Sequence, residues 1–355
     1  MLEYLLAFGL AFAITAGVTP YIRRYALAHG IIDRPSELRK IHTKPVAYLG
    51  GAAIFVGFLI TLAVFMQPSR QLVALVLGCA ILVAVGVIDD MKGLSPWTKL
   101  AWQFVAAGVA LSGGIGISSI TNPLGGTFNL NLGRFQINTP AGDFHITPIA
   151  NTLSLLWMVG LANTINFLDG LDGLACGVSG IAAFIMFMLA VGPNVHQPAV
   201  ALLAIILAGA AFGFLPYNFY PARIFMGDSG AYFLGLTLAM LAIYSGAKLA
   251  TAALVLGFPI VDAVWAATRR MAKRSSPFRA DKKHFHHLLL DVGLTQRQAV
   301  LILYAVALAF GICALLIGSF AKLVALIILV GLVAMAIAGL LLLSWFRQRK
   351  LLPKG

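Results

Sequence analysis

The amino-acid sequence predicts an all-α polytopic membrane protein with about eleven transmembrane helices. Three observations carry this. Hydrophobic side chains make up 60% of the 355 residues and charged ones only 10%, against roughly 25% charged in soluble domains. Mean hydropathy is +0.94. Apolar runs recur from residue 4 to residue 345, each near the ~20 residues that a bilayer core of ~30 Å demands. The same numbers exclude a secreted disulfide scaffold, a disordered chain and a classical DNA-binding module.

Charges and turn residues cut the apolar sequence into its spans. The first, 4–22, stops at Arg23-Arg24; 48–66 stops at Gln67-Pro68-Ser69-Arg70; 71–88 stops at Asp89-Asp90. Span 99–117 opens on Lys99, 149–167 ends before Asp169, and 173–191 opens on Gly173. Then come 198–217, 229–246, and 248–268, which holds Pro259 and Asp262 and stops at Arg269-Arg270. Spans 299–317 and 323–345 complete the set, within a single integral-membrane domain over 1–355. Glu3 and the lack of a basic leader make the first run a retained span rather than a signal peptide. An odd number of crossings puts the termini on opposite sides. With the loop after the first span cytoplasmic, 21 Lys and Arg fall inside and four outside: Arg70, Arg134, Lys248 and Lys322. The positive-inside rule therefore predicts the N-terminus outside and the C-terminal Arg347, Arg349, Lys350 and Lys354 inside.

The net charge of +13 is thus a topology signal, and no nucleic-acid partner is implied. Cys79, Cys176 and Cys313 are odd in number and lack a CxxC spacing, so they read as packing residues. The long outer loop 118–148 alternates over Phe128–Leu132 and again over Phe135–Ile137, with Gly133-Arg134 between them. That pattern suggests a small β-hairpin capping the outer face.

Acidic residues are the informative minority. Of twelve, only Glu3 and Asp143 fall outside, Asp262 lies within a span, and nine gather on the cytoplasmic side. Ionisable groups at a bilayer edge are costly unless they find partners or serve a site. Asp89-Asp90 ends the third span, where carboxylates oppose the helix dipole. Such a pair can hold Mg²⁺, or one member can bind metal while the other takes a proton. In NTINFLDGLDGLACG, Asn163 and Asn166 share a helix face, and Gly170 and Gly173 turn the chain to present Asp169 and Asp172. These oxygens suit a hard cation. Asp228 and Ser229 open the eighth span, where capping would account for Asp228 alone. The neighbouring glycines and Phe225 add close backbone approach and a stacking face.

The loop 269–298 holds eight Lys or Arg and the run Asp281-Lys282-Lys283-His284-Phe285-His286-His287. Without Cys or a matched carboxylate, HxHH is a weak zinc signal. The histidines fit better as donors to a diphosphate or a sugar hydroxyl. Lys40, His42, Lys44 and Lys99 add cytoplasmic cations. Asp262, behind Pro259, reads as a structural or supporting residue, and His29, His145 and His196 carry no role. Phosphoryl transfer needs this combination: metal and cations neutralise the transferring group while a carboxylate positions the nucleophile. One substrate is then soluble and the other a lipid. A secondary transporter is the rival class, but its carboxylates would sit near the bilayer midplane.

In this order, VIDD, NxxNxxDGxDGLA, FMGDSG and HxHH resemble the polyprenyl-phosphate N-acetylhexosamine-1-phosphate transferases, from RKIHTKP to HFHHLLLDVGLTQRQ. HxHH and NFLDGLDGLA are similar to the branch that starts O-antigen, common-antigen and wall teichoic acid synthesis. The resemblance implies transfer of GlcNAc-1-phosphate from UDP-GlcNAc to undecaprenyl phosphate with release of UMP, at the cytoplasmic face of the bacterial inner membrane. UDP-MurNAc-pentapeptide or another UDP-HexNAc is the alternative donor. The cofactor implied is Mg²⁺, with Mn²⁺ as a substitute. Carried onto this sequence, Asp228 and Asn166 become the metal ligands. Asp89 is the base or orients the lipid phosphate, Asp90 lies close to metal or substrate, and Asp169 supports metal and diphosphate, so these three count as catalytic. Asp172 and Phe225 meet the uridine, His284, His286 and His287 the sugar diphosphate, and Lys99 a phosphate, with Asn163 also on the substrate side. Ala47, Ala231 and Leu288 depart from residues common in relatives, the last within the sugar-recognition loop. The bilayer is the setting, and a homodimer is left open.

Overall fold

The computed structural model describes residues 1–33, 45–133, 135–139, 142–193, 195–246, 249–272 and 284–351. Lys40, His42, Lys44, Arg134, Lys248, Asp281, Lys282, Lys283 and Lys354 lie outside the described residues.

Helix α1 (Leu2–Ala28) leads to a short antiparallel pair, β1 (Ile32–Asp33) with β2 (Val46–Ala47), and then α2 (Gly50–Phe65). Helices α3 (Arg70–Lys92) and α4 (Pro96–Ser112) follow, both begun by serine caps. Ser69 Oγ accepts from the Leu72 N–H and Ser95 Oγ from that of Thr98. Pro96 then takes the first helical position, where no N–H is missed. Beyond the loop 118–148 come α5 (Pro148–Leu168), α6 (Leu174–Val191), α7 (Pro198–Asn218) and α8 (Gly227–Tyr244). The chain continues through α9 (Leu249–Val255), α10 (Gly257–Ala272) and α11 (Phe285–Asp291). It ends in α12 (Gln296–Leu316), opened by a Thr295–Gln298 capping box, and α13 (Ser319–Leu351).

Among the described residues seven helices are long and apolar enough to cross a membrane, or eight if α9 and α10 count as one bent span. The protein is therefore an α-helical, multi-pass membrane protein. The other expected spans fall on α2 and α4, of 16 and 17 residues, and on α8, whose first turn carries Asp228.

Helix α8 is the hub. α2, α3, α5, α6, α7 and α9 pack around it, and every residue from Ser229 to Ile243 is buried. Apolar side chains gain little by leaving lipid for protein, so such packing rests on close backbone contact between small residues. A Cβ on Gly86 of α3 would run into the Ser229 backbone, and one on Gly51 of α2 into Gly230. These contacts draw the ends of α2, α3 and α8 together on the side where the acidic motifs lie.

Two expectations need correction. The 248–268 span is not one kinked helix: α9 and α10 meet at 80°. The break falls at Leu256-Gly257, ahead of Pro259, which sits in the first turn of α10 where its missing N–H costs no helical bond. The loop 118–148 forms two hairpins, not one. β3 (Ser119–Thr121) pairs with β4 (Thr127–Asn129), and β5 (Phe135–Thr139) with β6 (Gly142–Ile146), both antiparallel. Gly125 and Gly126, at φ 121° and 77°, close the first turn locally. Residues 127–129 are thereby paired backwards, and the strand after Gly133 pairs forwards.

Candidate active site

The VIDD, NFLDGLDGLA and FMGDSG segments meet at the N-terminus of α8. Asp228, in its first turn, has its side chain contacted from two helices, α4 and α5. Lys99 Nζ lies 2.9 Å from its Oδ2, and Asn166 Nδ2 donates to its Oδ1 at 2.8 Å. The same ammonium reaches Asp89 Oδ2 at 3.1 Å, so one cation bridges two carboxylates from α3 and α8. Asp89 Oδ1 accepts the Leu94 N–H at 2.6 Å, which pins the carboxylate where α3 ends at Gly93.

Asp90 does something different from its neighbour. Its Oδ1 accepts the Asp228 backbone N–H and its Oδ2 accepts the Ser229 hydroxyl, each at 2.9 Å. It thus caps α8 from another helix, and this carboxylate is the anion that the N-terminal dipole favours. The bonds fix the backbone from which the Asp228 side chain projects. Gly227, at φ 70°, leaves no room for a Cβ against the Asp90 carboxylate.

Asp169, just past α5, faces this cluster from the opposite loop. Burial raises its pKa from 3.8 to about 8, reinforced by repulsion from Asp228, Asp90 and Asp172. Asp172 Oδ2 accepts the Ala222 N–H at 2.9 Å, tying the second acidic loop to the segment before Phe225. Phe225 lies beside Tyr48, with ring centroids 5.9 Å apart, and its backbone pairs with the start of α2. Its N–H reaches Ala47 O, and its own carbonyl accepts from Gly50.

A cavity of about 80 Å³ opens beside Lys99, lined by Pro96, Gln103, Asn163, Asn166, Phe167 and Tyr232 as well. Asn163 is held in a reciprocal amide pair with Gln103, at 2.6 and 3.3 Å. Its amide is therefore partnered by protein, one turn from Asn166.

The three histidines have different surroundings. His284 has both ring nitrogens engaged, Nδ1 with Asp262 and Nε2 with Arg270. His286 is fully buried against Gly170, where a Cβ would collide with its ring. Among the described residues neither of its nitrogens has a hydrogen-bond partner. Burial pushes its pKa well below the usual imidazole value, with His287 and His284 adding to the effect. His287 touches it at 4.4 Å between ring centroids. The histidine loop thus reaches the DGLDG turn through His286 and Gly170.

Sequence reading missed Gln103, Tyr232, Tyr48 and Arg270. Gln103 was detectable, as a polar residue one helical turn from Lys99 in an apolar helix. Arg270 was hidden in the count of cytoplasmic basic charge, and the two tyrosines carried no signal.

The donor set suits a hard divalent cation. Two carboxylates share one ammonium, and a half-turn of the Asn166 amide would set its oxygen beside Asp228. Among the described residues no three His, Cys, Asp or Glu side chains converge into a ready-made cage.

Residues 72–246 match the family model for glycosyl transferase family 4. A "probable undecaprenyl-phosphate N-acetylglucosaminyl 1-phosphate transferase" of Bacillus subtilis is 32% identical over 326 residues, covering 90% of this chain and 86% of that protein. A decaprenyl-phosphate N-acetylglucosaminephosphotransferase of Mycolicibacterium smegmatis is 33% identical over 82% of this chain and 76% of its own. A Thermotoga maritima undecaprenyl-phosphate alpha-N-acetylglucosaminyl 1-phosphate transferase is 30% identical over 84% and 86%. With relatives matched along most of their length and the family's acidic motifs gathered on one helix end, the chain belongs to glycosyl transferase family 4, in the polyprenyl-phosphate N-acetylglucosaminyl 1-phosphate transferase branch.

Proposed function

We propose that this enzyme transfers GlcNAc-1-phosphate from UDP-GlcNAc to undecaprenyl phosphate, releasing UMP and starting a cell-envelope polysaccharide. The observation that carries the reading is the Lys99 ammonium held between Asp89 and Asp228, with Asn166 on the other Asp228 oxygen. On this reading, one cation and a cation-seeking carboxylate cluster stand where the two phosphates would meet.

An oxygen of the acceptor phosphate attacks the β-phosphorus of the donor. A new P–O–P bond forms, and the bond to the bridging oxygen breaks and leaves with UMP. A lipid phosphate is already largely ionised near neutral pH, its second pKa being ~6 for a phosphate monoester, so Asp89 orients the acceptor through Lys99 rather than taking a proton. Mg²⁺, or Mn²⁺ in its place, held by Asp228 and Asn166, would neutralise the donor diphosphate. Asp169 stands behind that pair. Phe225 and Asp172 receive the uridine, and the histidine loop receives the sugar diphosphate through His286 and His287. Eleven crossings, with the N-terminus outside and the site on the cytoplasmic face of the inner membrane, complete the reading as one membrane domain.

The test is UMP release from UDP-GlcNAc by detergent-purified protein, with and without Mg²⁺ and undecaprenyl or decaprenyl phosphate. Release should require both metal and lipid and yield a lipid-linked GlcNAc diphosphate, and Asp228→Asn should abolish it. Release only from another UDP-sugar would overturn the donor. Unchanged turnover by Asp228→Asn would overturn the metal assignment.

A further inference from the structure

Asp262 is a buried carboxylate on α10, 4% exposed, outside the acidic cluster. Its Oδ2 lies 2.8 Å from His284 Nδ1, and its Oδ1 accepts the backbone N–H of Phe285, the first residue of α11, at 2.8 Å. On the other side of the ring, His284 Nε2 lies 3.2 Å from Arg270 Nη2. A guanidinium can only donate, so Nε2 must accept. The ring proton is then on Nδ1, facing Asp262. Both hydrogen bonds thus specify one tautomer of a neutral imidazole.

The chain of contacts runs on to the active site. The Arg270 guanidinium lies 5.5 Å from the centre of the Phe167 ring, and Phe167 lines the cavity shared with Lys99, Asn163 and Asn166. His286 lies parallel to His284, 5.6 Å away and 5° from coplanar orientation. Moving His284 would therefore move Arg270 on one side and the unpartnered His286 on the other.

The geometry points to Asp262 as a positioning residue: it holds the first turn of α11 and the Nδ1–H tautomer of His284, and so keeps Arg270 against Phe167 and His286 against Gly170. This rests on the proposed reading that the histidine loop meets the donor diphosphate. His284 acts here as a bridge rather than as a ligand. An amide in place of the carboxylate has one oxygen for two donors. Its NH₂ would face either the Phe285 N–H or the His284 Nδ1–H. The ring escapes that clash only by moving its proton to Nε2, which then opposes the Arg270 N–H.

Two measurements on the full-length protein test this. Nitrogen NMR of ¹⁵N-histidine-labelled enzyme, with His284 assigned from a His284→Gln sample, should show a protonated Nδ1 and a bare Nε2, and Asp262→Asn should abolish that pattern. In kinetics, Asp262→Asn should raise the donor KM about 10- to 100-fold, the range for losing a residue that orients a ligand. The acceptor KM should stay unchanged, and Asp262→Glu should recover part of the loss. A wild-type donor KM in Asp262→Asn overturns the proposal. So does a lower kcat with both KM values intact, which reports only lost folded protein. If the wild-type enzyme releases no UMP, the functional reading fails, while the tautomer still decides the Asp262–His284 link.

Discussion

At the scale of single residues, the site is defined by which carboxylates have partners. Asp89 shares Lys99 and a backbone N–H, and Asp90 has two donors on α8. Asp169 has only burial and repulsion, which set its pKa near 8 rather than 3.8. The folded protein therefore holds a proton there that the unfolded chain has already released. Between about pH 4 and pH 8 the unfolded state binds fewer protons, so stability falls as pH rises through that window. A divalent cation reverses the preference by favouring the ionised form. Thermal unfolding of the detergent-purified enzyme should show this decline without Mg²⁺, a flatter profile with it, and a flatter profile in Asp169→Asn. An Asp169→Asn profile identical to wild type would remove Asp169 as the cause.

At the scale of elements, the position of Asp228 depends on a glycine it never bonds. Gly86 lets α3 lie directly on the Ser229 backbone, and a Cβ there would collide with it. Gly86→Val should push the start of α8 away from Asp90 and Lys99. A displacement of about 1 Å near reacting groups costs on the order of 10²-fold in rate. Gly108→Ala on α4, where nothing lies within 4 Å of an added Cβ, is the control and should retain activity. Equal kcat in the two variants would show that the helix contact does not set the site. The helices themselves were legible in the sequence, since every expected span except 248–268 falls on a single helix. The 80° break between α9 and α10 and the two hairpins were not. A proline signals a break without locating it, and alternation identifies a strand without naming its partner.

At the scale of the whole molecule, the proposed orientation rests on the uneven spread of 25 basic residues, 21 of them assigned to one side. Of the three cysteines, only Cys313 is exposed, so a Cys313→Ser background leaves no accessible thiol. In intact cells, Leu124→Cys in the outer loop should react with a membrane-impermeant maleimide. Arg24→Cys, in the last turns of α1, should react only after permeabilisation. The opposite pattern would invert the topology and move the site to the outer face.

By itself the sequence determined the membrane class, the approximate spans and the four motif-bearing segments. Hydropathy is local, and polar residues at span ends stand out against an apolar chain. Asp89, Asp90, Asn166, Asp169 and Asp228 were all visible in that way. Only the tertiary structure decided what each of them touches: Asp90 caps α8, Lys99 bridges Asp89 and Asp228, Asn163 is taken up by Gln103, and Asp262 holds His284. Those pairs are separated by 10 to 138 residues in the chain. What brings most of them together is the packing of glycine-lined helices around α8, and no spacing within a motif encodes that contact.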